Sequence, residues 1–387
     1  MKRTMAIFVA AVMALSATAC SGGNSSTAST APASAASTEA SAAATSQVAG
    51  GSGQKYHFEI VSKGFQTTYW QAVYKGATAE VKKLNDQAGY EKYSMNFVGP
   101  DSESDVAVQV QEFTSALNAK PNAIGLAALD VNALLDSIKT AQSNKIPIIG
   151  FDSGVPKAPE GSVLANASTD NYSAGKLAAD SMYDKIKGRV KGKVRIGEVA
   201  ADATSEAQMS RGLGFADEML TKLNADGHKV YVTGNQLFVS GCKGTKSSQA
   251  DADVTIEIRV PAQSSAELCA TEAGVILNES DTIAIFAANQ SAAEGIVTAN
   301  GTLNVCGTGD KQIIAVGFDS GKVLKAAVKA GTMYGAITQA PVTIGRDVID
   351  LLVASAAGQP VKDIDTGCAF YTAQNMDSQT IAQNLYD

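Results

Sequence analysis

One nine-residue stretch occurs twice in this chain, and it narrows the possible folds more than any other feature. Ile146-Pro147-Ile148-Ile149-Gly150-Phe151-Asp152-Ser153-Gly154 stands against Ile313-Ile314-Ala315-Val316-Gly317-Phe318-Asp319-Ser320-Gly321, and the two share Gly-Phe-Asp-Ser-Gly. Each copy is an apolar run ending in a carboxylate and small residues, as expected of a buried strand that stops at a sheet's carboxyl edge. Open α/β sheets bind ligands at that edge. Two copies therefore predict two similar lobes, each offering one aspartate to a shared cleft.

The surrounding pattern agrees. Phe58 to Val61, Met95 to Val98, Ala123 to Leu126 and Ile146 to Phe151 read as strands of a first lobe. Between them run apolar stripes at helical spacing: Trp70, Val73, Ala77, Val81 and Leu84, then Val106, Val110, Phe113 and Leu117, then Val131, Leu134, Leu135 and Ile138. A second set repeats the order, with strands at Val194 to Val199, Val230 to Val232, Ile283 to Ala287 and Ile314 to Phe318. Alternating strands and helices predict an α/β fold of two Rossmann-like parallel-sheet lobes. Gly234 to Pro261 has no counterpart in the first lobe and reads as an added hairpin or long loop.

The chain's beginning speaks to compartment. Lys2 and Arg3 precede an apolar run from Met5 to Leu15 and then Ala17-Thr18-Ala19-Cys20. This is the pattern of a secretory signal over 1–19, with Cys20 placed for diacylation. From Ser21 to Gln54 the residues are nearly all Ser, Ala, Thr and Gly, with Glu39 the single charge. Such a segment cannot bury a core and reads, with Cys20, as a 20–54 tether. The rest is long enough for two domains. A formal net charge of -7 excludes nucleic acid as a natural partner, because phosphate binding needs a basic face.

Cys242, Cys269, Cys306 and Cys368 remain, an even number in an oxidising compartment, and predict two disulfides. Connectivity stays open. Cys242 with Cys269, closing the irregular segment between them, and Cys306 with Cys368 is the preferred pairing. No Cys-x-x-Cys spacing occurs and the only histidines are His57 and His228, so neither a metal nor another cofactor is expected.

Paired Asp-Ser-Gly turns also admit a secreted hydrolase using Asp152 and Asp319, of aspartic-protease or glycosidase type. Helical periodicity around both turns argues against nearly all-β protease lobes. A serine hydrolase lacks a well-placed histidine base.

Further motifs carry a resemblance: Val61-Ser62-Lys63-Gly64, Tyr69-Trp70-Gln71-Ala72-Val73, Lys75-Gly76-Ala77, Gly99-Pro100-Asp101, Thr169-Asp170-Asn171 with Gly175, Arg211 with Gly214-Phe215, Phe286 with Asn289, and Gln339 before Pro341. In this order, and with the two aspartate turns, they resemble the ribose-binding-like (type I) periplasmic sugar-binding family over nearly all of Tyr56 to about Phe370. That resemblance implies a non-enzymatic, monomeric substrate-binding lipoprotein outside the cytoplasm, tied to the membrane through Cys20. It would hand a small sugar to the permease and ATPase of an ABC importer. It further implies a three-segment hinge near Ser168, Gln339 and Thr366. The lobes would then be 55–168 plus 340–367 and 169–339 plus 368–387. By the same resemblance Tyr69 and Trp70 stack on the sugar, while Asp152, Asn289, Asp319 and Gln339 bond its hydroxyls. Many relatives place arginines where Ser153 and Met209 stand, so Lys63 or Arg211 is the donor expected instead.

Overall fold

Strands buried on both faces need cover on both faces, and the chain supplies it with helices. The computed structural model describes residues 53–387. The signal, Cys20 and nearly all of the tether lie outside the described residues. Strands β1 (Tyr56–Val61), β2 (Tyr93–Val98), β3 (Ala123–Leu126), β4 (Ile148–Phe151) and β5 (Val163–Ser168) come first. Strands β6 (Val194–Val199), β7 (Val230–Gly234), β8 (Val254–Arg259), β9 (Thr282–Ala287), β10 (Ile314–Phe318) and β11 (Gly335–Gln339) follow, then β12 (Ile364–Asp365) and β13 (Cys368–Tyr371). They form two sheets, ordered β12-β5-β4-β3-β1-β2 and β13-β11-β10-β9-β6-β8-β7. All pairings are parallel except β11 with β13. The chain passes between the sheets three times, after Ser168, after Gln339 and after Asp365.

The helices are α1 (Thr68–Ala88), α2 (Val106–Asn118), α3 (Val131–Ser143), α4 (Asn171–Ile186), α5 (Glu206–Ala225), α6 (Gln236–Gly241), α7 (Ala266–Leu277), α8 (Gln290–Leu303), α9 (Lys322–Lys329), α10 (Pro341–Ala356) and a short α11 (Gln379–Ala382). Each lobe contains a very close helix crossing beside the cleft. A Cβ on Gly76 would meet the Val342 carbonyl at 2.1 Å and one on Gly345 the Val73 carbonyl at 2.0 Å, so α1 lies backbone to backbone on α10. In the second lobe Gly175 of α4 and Gly214 of α5 do the same, against the carbonyls of Arg211 at 2.0 Å and Tyr172 at 2.1 Å. Only glycine permits this approach. The crossings seat the helices that carry Tyr69 and Trp70, and Gln208 and Arg211.

Two expectations need correction. The segment Gly234 to Pro261 is not a hairpin and only in part a loop: residues 242–253 are irregular, but they join α6 to β8, and β8 lies inside the second sheet between β6 and β7. Val254, Ile256 and Ile258 are buried there, and Glu257 between them is nearly so. An alternating run fits a hairpin as well as a central strand, and here both faces of the strand are covered. The four described cysteines stand as free thiols. Cys242 and Cys368 pack in the apolar cluster on one face of the second sheet, Cys269 and Cys306 in the cluster on the other. Both preferred pairings would have to pass through the sheet.

Candidate functional site

The carboxyl ends of the strands in both lobes turn toward one cavity. Lys63 follows β1, Asp152 follows β4, Asn289 follows β9, Asp319 follows β10 and Gln339 ends β11. Tyr69 and Trp70 come from the first turn of α1 and Arg211 from α5. All eight line the same cavity, so the side chains expected to bind ligand are brought together without exception.

Both aspartates sit in left-handed backbone, φ 55° at Asp152 and 76° at Asp319. Asp and Asn tolerate that region better than other non-glycine residues, and the following Ser-Gly completes each turn. Asp152 Oδ1 accepts from Tyr69 Oη at 2.7 Å, while Oδ2 faces Lys63 Nζ at 3.2 Å. Asp319 Oδ1 accepts from Gln339 Nε2 at 2.7 Å and Oδ2 from the Gln290 N–H at 3.0 Å. Asn289 spends its Oδ1 capping α8, accepting from the Ala292 N–H at 2.9 Å, which leaves its amide NH2 for the cavity. Arg211 is pinned to the wall: Nη2 donates to Asn171 Oδ1 and Nη1 to the Ala288 carbonyl, both at 2.7 Å, and its guanidinium lies 3.7 Å from the Phe318 ring centroid.

Burial and charge pull against each other here. Burial alone would lower the Lys63 ammonium, but Asp152, Glu103 and Asp202 outweigh it and hold the group above the ordinary lysine value. Burial pushes the Asp319 carboxyl up despite the Arg211 charge and the Gln339 hydrogen bond. Burial also raises Tyr69 well above a free phenol, and the Asp152 charge adds to it. Tyr69 is therefore a donor across the physiological range. A ring of buried donors and acceptors beside two aromatic faces is suited to a small polyhydroxylated ligand.

The chain matches the periplasmic binding protein domain over residues 58–360. It belongs to the periplasmic binding protein family. It is 29% identical over 266 residues to the ribose import binding protein of Haemophilus influenzae, covering 68% of this chain and 74% of that one. It is 26% identical over 318 residues to the D-allose-binding periplasmic protein of Escherichia coli, covering 81% and 88%. Among solved structures, an ABC transporter solute-binding protein from Agrobacterium vitis with bound D-fucose superposes with a TM-score of 0.70 at 28% identity, covering 85% of this chain and 100% of that one. The parallel α/β lobes of this family remove the aspartic-protease alternative, which needs nearly all-β lobes.

The cavity also contains Thr67, Glu103, Gln208, Gln290 and Ser291, which the sequence reading passed over. Glu103 Oε1 accepts from Trp70 Nε1 at 2.7 Å and so fixes the indole. Its carboxyl is pushed up by burial, against the opposing pull of Lys63. Its signal was position: Glu103 lies in the loop after β2, at the same sheet edge as Lys63 and Asp152. Gln290 Nε2 donates to Thr68 Oγ1 across the lobes at 3.2 Å, a contact no local pattern announces. Tyr386 had no signal either. Its ring meets Tyr69 edge-on at 6.0 Å, and its Oη accepts from the Ser320 N–H at 3.2 Å, joining the chain's end to both lobes.

Proposed function

We propose that this protein captures a small carbohydrate between its lobes outside the cytoplasm and delivers it to the permease and ATPase of an ABC importer. The observation that carries the reading is the meeting of Asp152 and Asp319, from equivalent turns of two lobes, in one cavity beside Tyr69 and Trp70. Ribose, D-allose and D-fucose, named for its relatives, are all monosaccharides. In this reading Tyr69 and Trp70 lie on the sugar's C–H face. Asp152, Asp319, Asn289 and Gln339 bond its hydroxyls, and Lys63 and Arg211 supply charged donors. The side chains now bond one another and leave about 20 Å³ between them, room for little more than one water. A sugar enters by taking over those bonds as the lobes part, with the three crossings at Ser168, Gln339 and Thr366 as hinge.

Trp70 is the only tryptophan, which makes the test direct. Titration with D-ribose, D-allose, D-fucose and D-arabinose should give a saturable change in intrinsic fluorescence for at least one. Trp70 is 1% exposed and packs against Phe151, so Trp70→Ala should also lose about 3–5 kcal/mol of stability. Lost stability with intact affinity would move the indole out of the ligand site and into a purely structural role.

The same proposal includes a lipid anchor at Cys20, since two acyl chains supply the two signals that stable membrane residence needs. Fractionation of cells carrying Cys20→Ser should find the protein released or unprocessed. A processed variant that stays in the membrane would refute lipidation.

A further inference from the structure

The hydrogen bonds that join the lobes across the mouth of the cleft are long and link neutral groups. Gln290 Nε2 donates to Thr68 Oγ1 at 3.2 Å, Ser104 Oγ to the Ser264 carbonyl at 3.4 Å and Thr204 Oγ1 to the Leu129 carbonyl at 3.5 Å. Each is readily exchanged for a bond to water when the lobes part, so each adds little to closure.

Tyr386 makes a different kind of crossing. Its main chain is fixed to the second lobe: its N–H donates to Ser320 Oγ at 3.2 Å, and its carbonyl accepts from the Ser320 hydroxyl and the Gly321 N–H, both at 3.1 Å. On either side, the Asn384 carbonyl accepts from Thr338 Oγ1 at 3.0 Å and Asp387 pairs with Lys325 of α9. From this mount the ring packs on the apolar cluster of the first lobe, which includes side chains of β1, α1 and α10, and meets Tyr69 edge-on. Tyr69 Oη in turn bonds Asp152. One side chain therefore reaches from the Asp319 turn of one lobe to the residue that holds Asp152 in the other. The residues lining the ligand cavity do not include Tyr386, so its ring acts on the lobes and not on the ligand. When the lobes part, Tyr386 leaves with the second and its apolar contact with the first is lost to water.

We propose that Tyr386 is a positioning residue for ligand capture: a clasp, carried by the second lobe and seated in the first, that favours the closed arrangement by the same amount for every ligand. This rests on the reading of the cleft as a sugar site that closes on its ligand. A contact made in the closed state and absent from the open one shifts the balance between them, and apparent affinity follows the share of the competent state. Removing the contact therefore lowers affinity for all ligands by one factor and leaves their order unchanged.

The test is calorimetry and stopped-flow Trp70 fluorescence on the full mature protein with D-ribose, D-allose, D-fucose and D-arabinose, first unaltered and then carrying Tyr386→Ala or Tyr386→Phe. Tyr386→Ala should weaken every sugar that the unaltered protein binds by a common factor of about three- to tenfold, equivalent to ~0.6–1.4 kcal/mol, the range of an aromatic edge contact. The main-chain bonds to Ser320 and Gly321 do not depend on the ring, so the segment keeps its place in this variant. The loss should appear as faster release with capture nearly unchanged, because the contact forms only as the lobes come together. Tyr386→Phe strands the buried Ser320 N–H and should lower the melting temperature, yet it keeps the ring against Tyr69 and should bind within about twofold of the unaltered protein. Lower melting temperatures in both variants with affinity and release intact would reduce Tyr386 to a structural residue and overturn the clasp. Factors differing among the sugars by more than about threefold would put the ring against the ligand and overturn it as well. If the unaltered protein binds none of the four, the sugar reading itself fails and the clasp falls with it.

Discussion

The two Gly-Phe-Asp-Ser-Gly turns have the same residues and nearly the same backbone, yet their surroundings differ. In each, a left-handed aspartate faces the cleft and the serine hydroxyl is turned inward: Ser153 donates to the Ala128 carbonyl at 3.0 Å, Ser320 to the Tyr386 carbonyl at 3.1 Å. After Gly154 the chain continues as an irregular loop, and a cavity of about 250 Å³ lies beside it. After Gly321 it enters α9 at once, and Tyr386 packs over the turn. Asp152 is thus balanced by a buried lysine beside open space, whereas Asp319 is held by neutral amides in a closed wall. The motif places a carboxylate, and the flanking chain decides what that carboxylate can reach.

That contrast predicts unequal losses. Asp152→Ala should cost most, about 3 kcal/mol of unfolding free energy, because it leaves Lys63 buried without its nearest counter-charge. Glu103 also faces Lys63 and keeps the loss at the low end. Denaturant melts of Asp152→Ala and of the double variant with Lys63→Met should show the second change recovering much of the first. No loss in the single variant would mean that Glu103 alone balances Lys63. Asp319→Ala strands the Gln339 amide and the Gln290 N–H and takes a charge from near Arg211, whose own bonds to Asn171 and Ala288 remain, and should cost about 1–2 kcal/mol. Either variant should lower sugar affinity roughly tenfold to a hundredfold. Near-native affinity by calorimetry would take that aspartate out of the site.

The smallest effect distinguishes the lobes at their first strands. The fifth residue of β1 is Ile60 and that of β6 is Glu198, both fully buried. Neither Glu198 oxygen has a hydrogen-bond partner, and burial pushes its carboxyl well above the usual range. It lies against Gly212 and Phe238, with the Cys242 thiol near it pushed up to about 12, first by burial and then by the Glu198 charge. The folded state therefore holds the proton more tightly than the unfolded chain. The stability this gives is complete below the ordinary glutamate value and is lost as pH rises through the folded-state value. Melting temperature should accordingly fall with rising pH more steeply in the native protein than in Glu198→Gln. Parallel slopes would show that Glu198 is not the group responsible.

Fold class and the two aspartates of the cleft are legible in local pattern, with strands written as apolar runs, helices as stripes, and one carboxylate at a strand end in each half; the other cleft side chains follow from the family resemblance and from no local pattern. The strand within Gly234 to Pro261 is not legible, because an alternating strand looks the same at an edge and at the centre of a sheet until its neighbours are known. The thiols escape sequence for the same reason, since spacing along the chain does not reveal which face of a sheet a side chain occupies. Glu103 shares the strand-end position of the other cleft residues, whereas the Gln290 contact to Thr68 and the Tyr386 contact to Tyr69 arise only through packing between parts of the chain far apart in sequence.

By itself the sequence determined two α/β lobes, an aspartate at the end of an equivalent strand in each, and aromatic residues opening α1, because periodicity and turn chemistry act over a few residues. Tertiary structure alone decided that Lys63 balances Asp152, that Arg211 is spent on Asn171 and Ala288, and that the turn after Asp152 borders a cavity of about 250 Å³ while Tyr386 packs over the turn after Asp319. Those outcomes depend on distances between segments more than a hundred residues apart in some cases, as with Gln290 and Thr68, and no local rule encodes such distances.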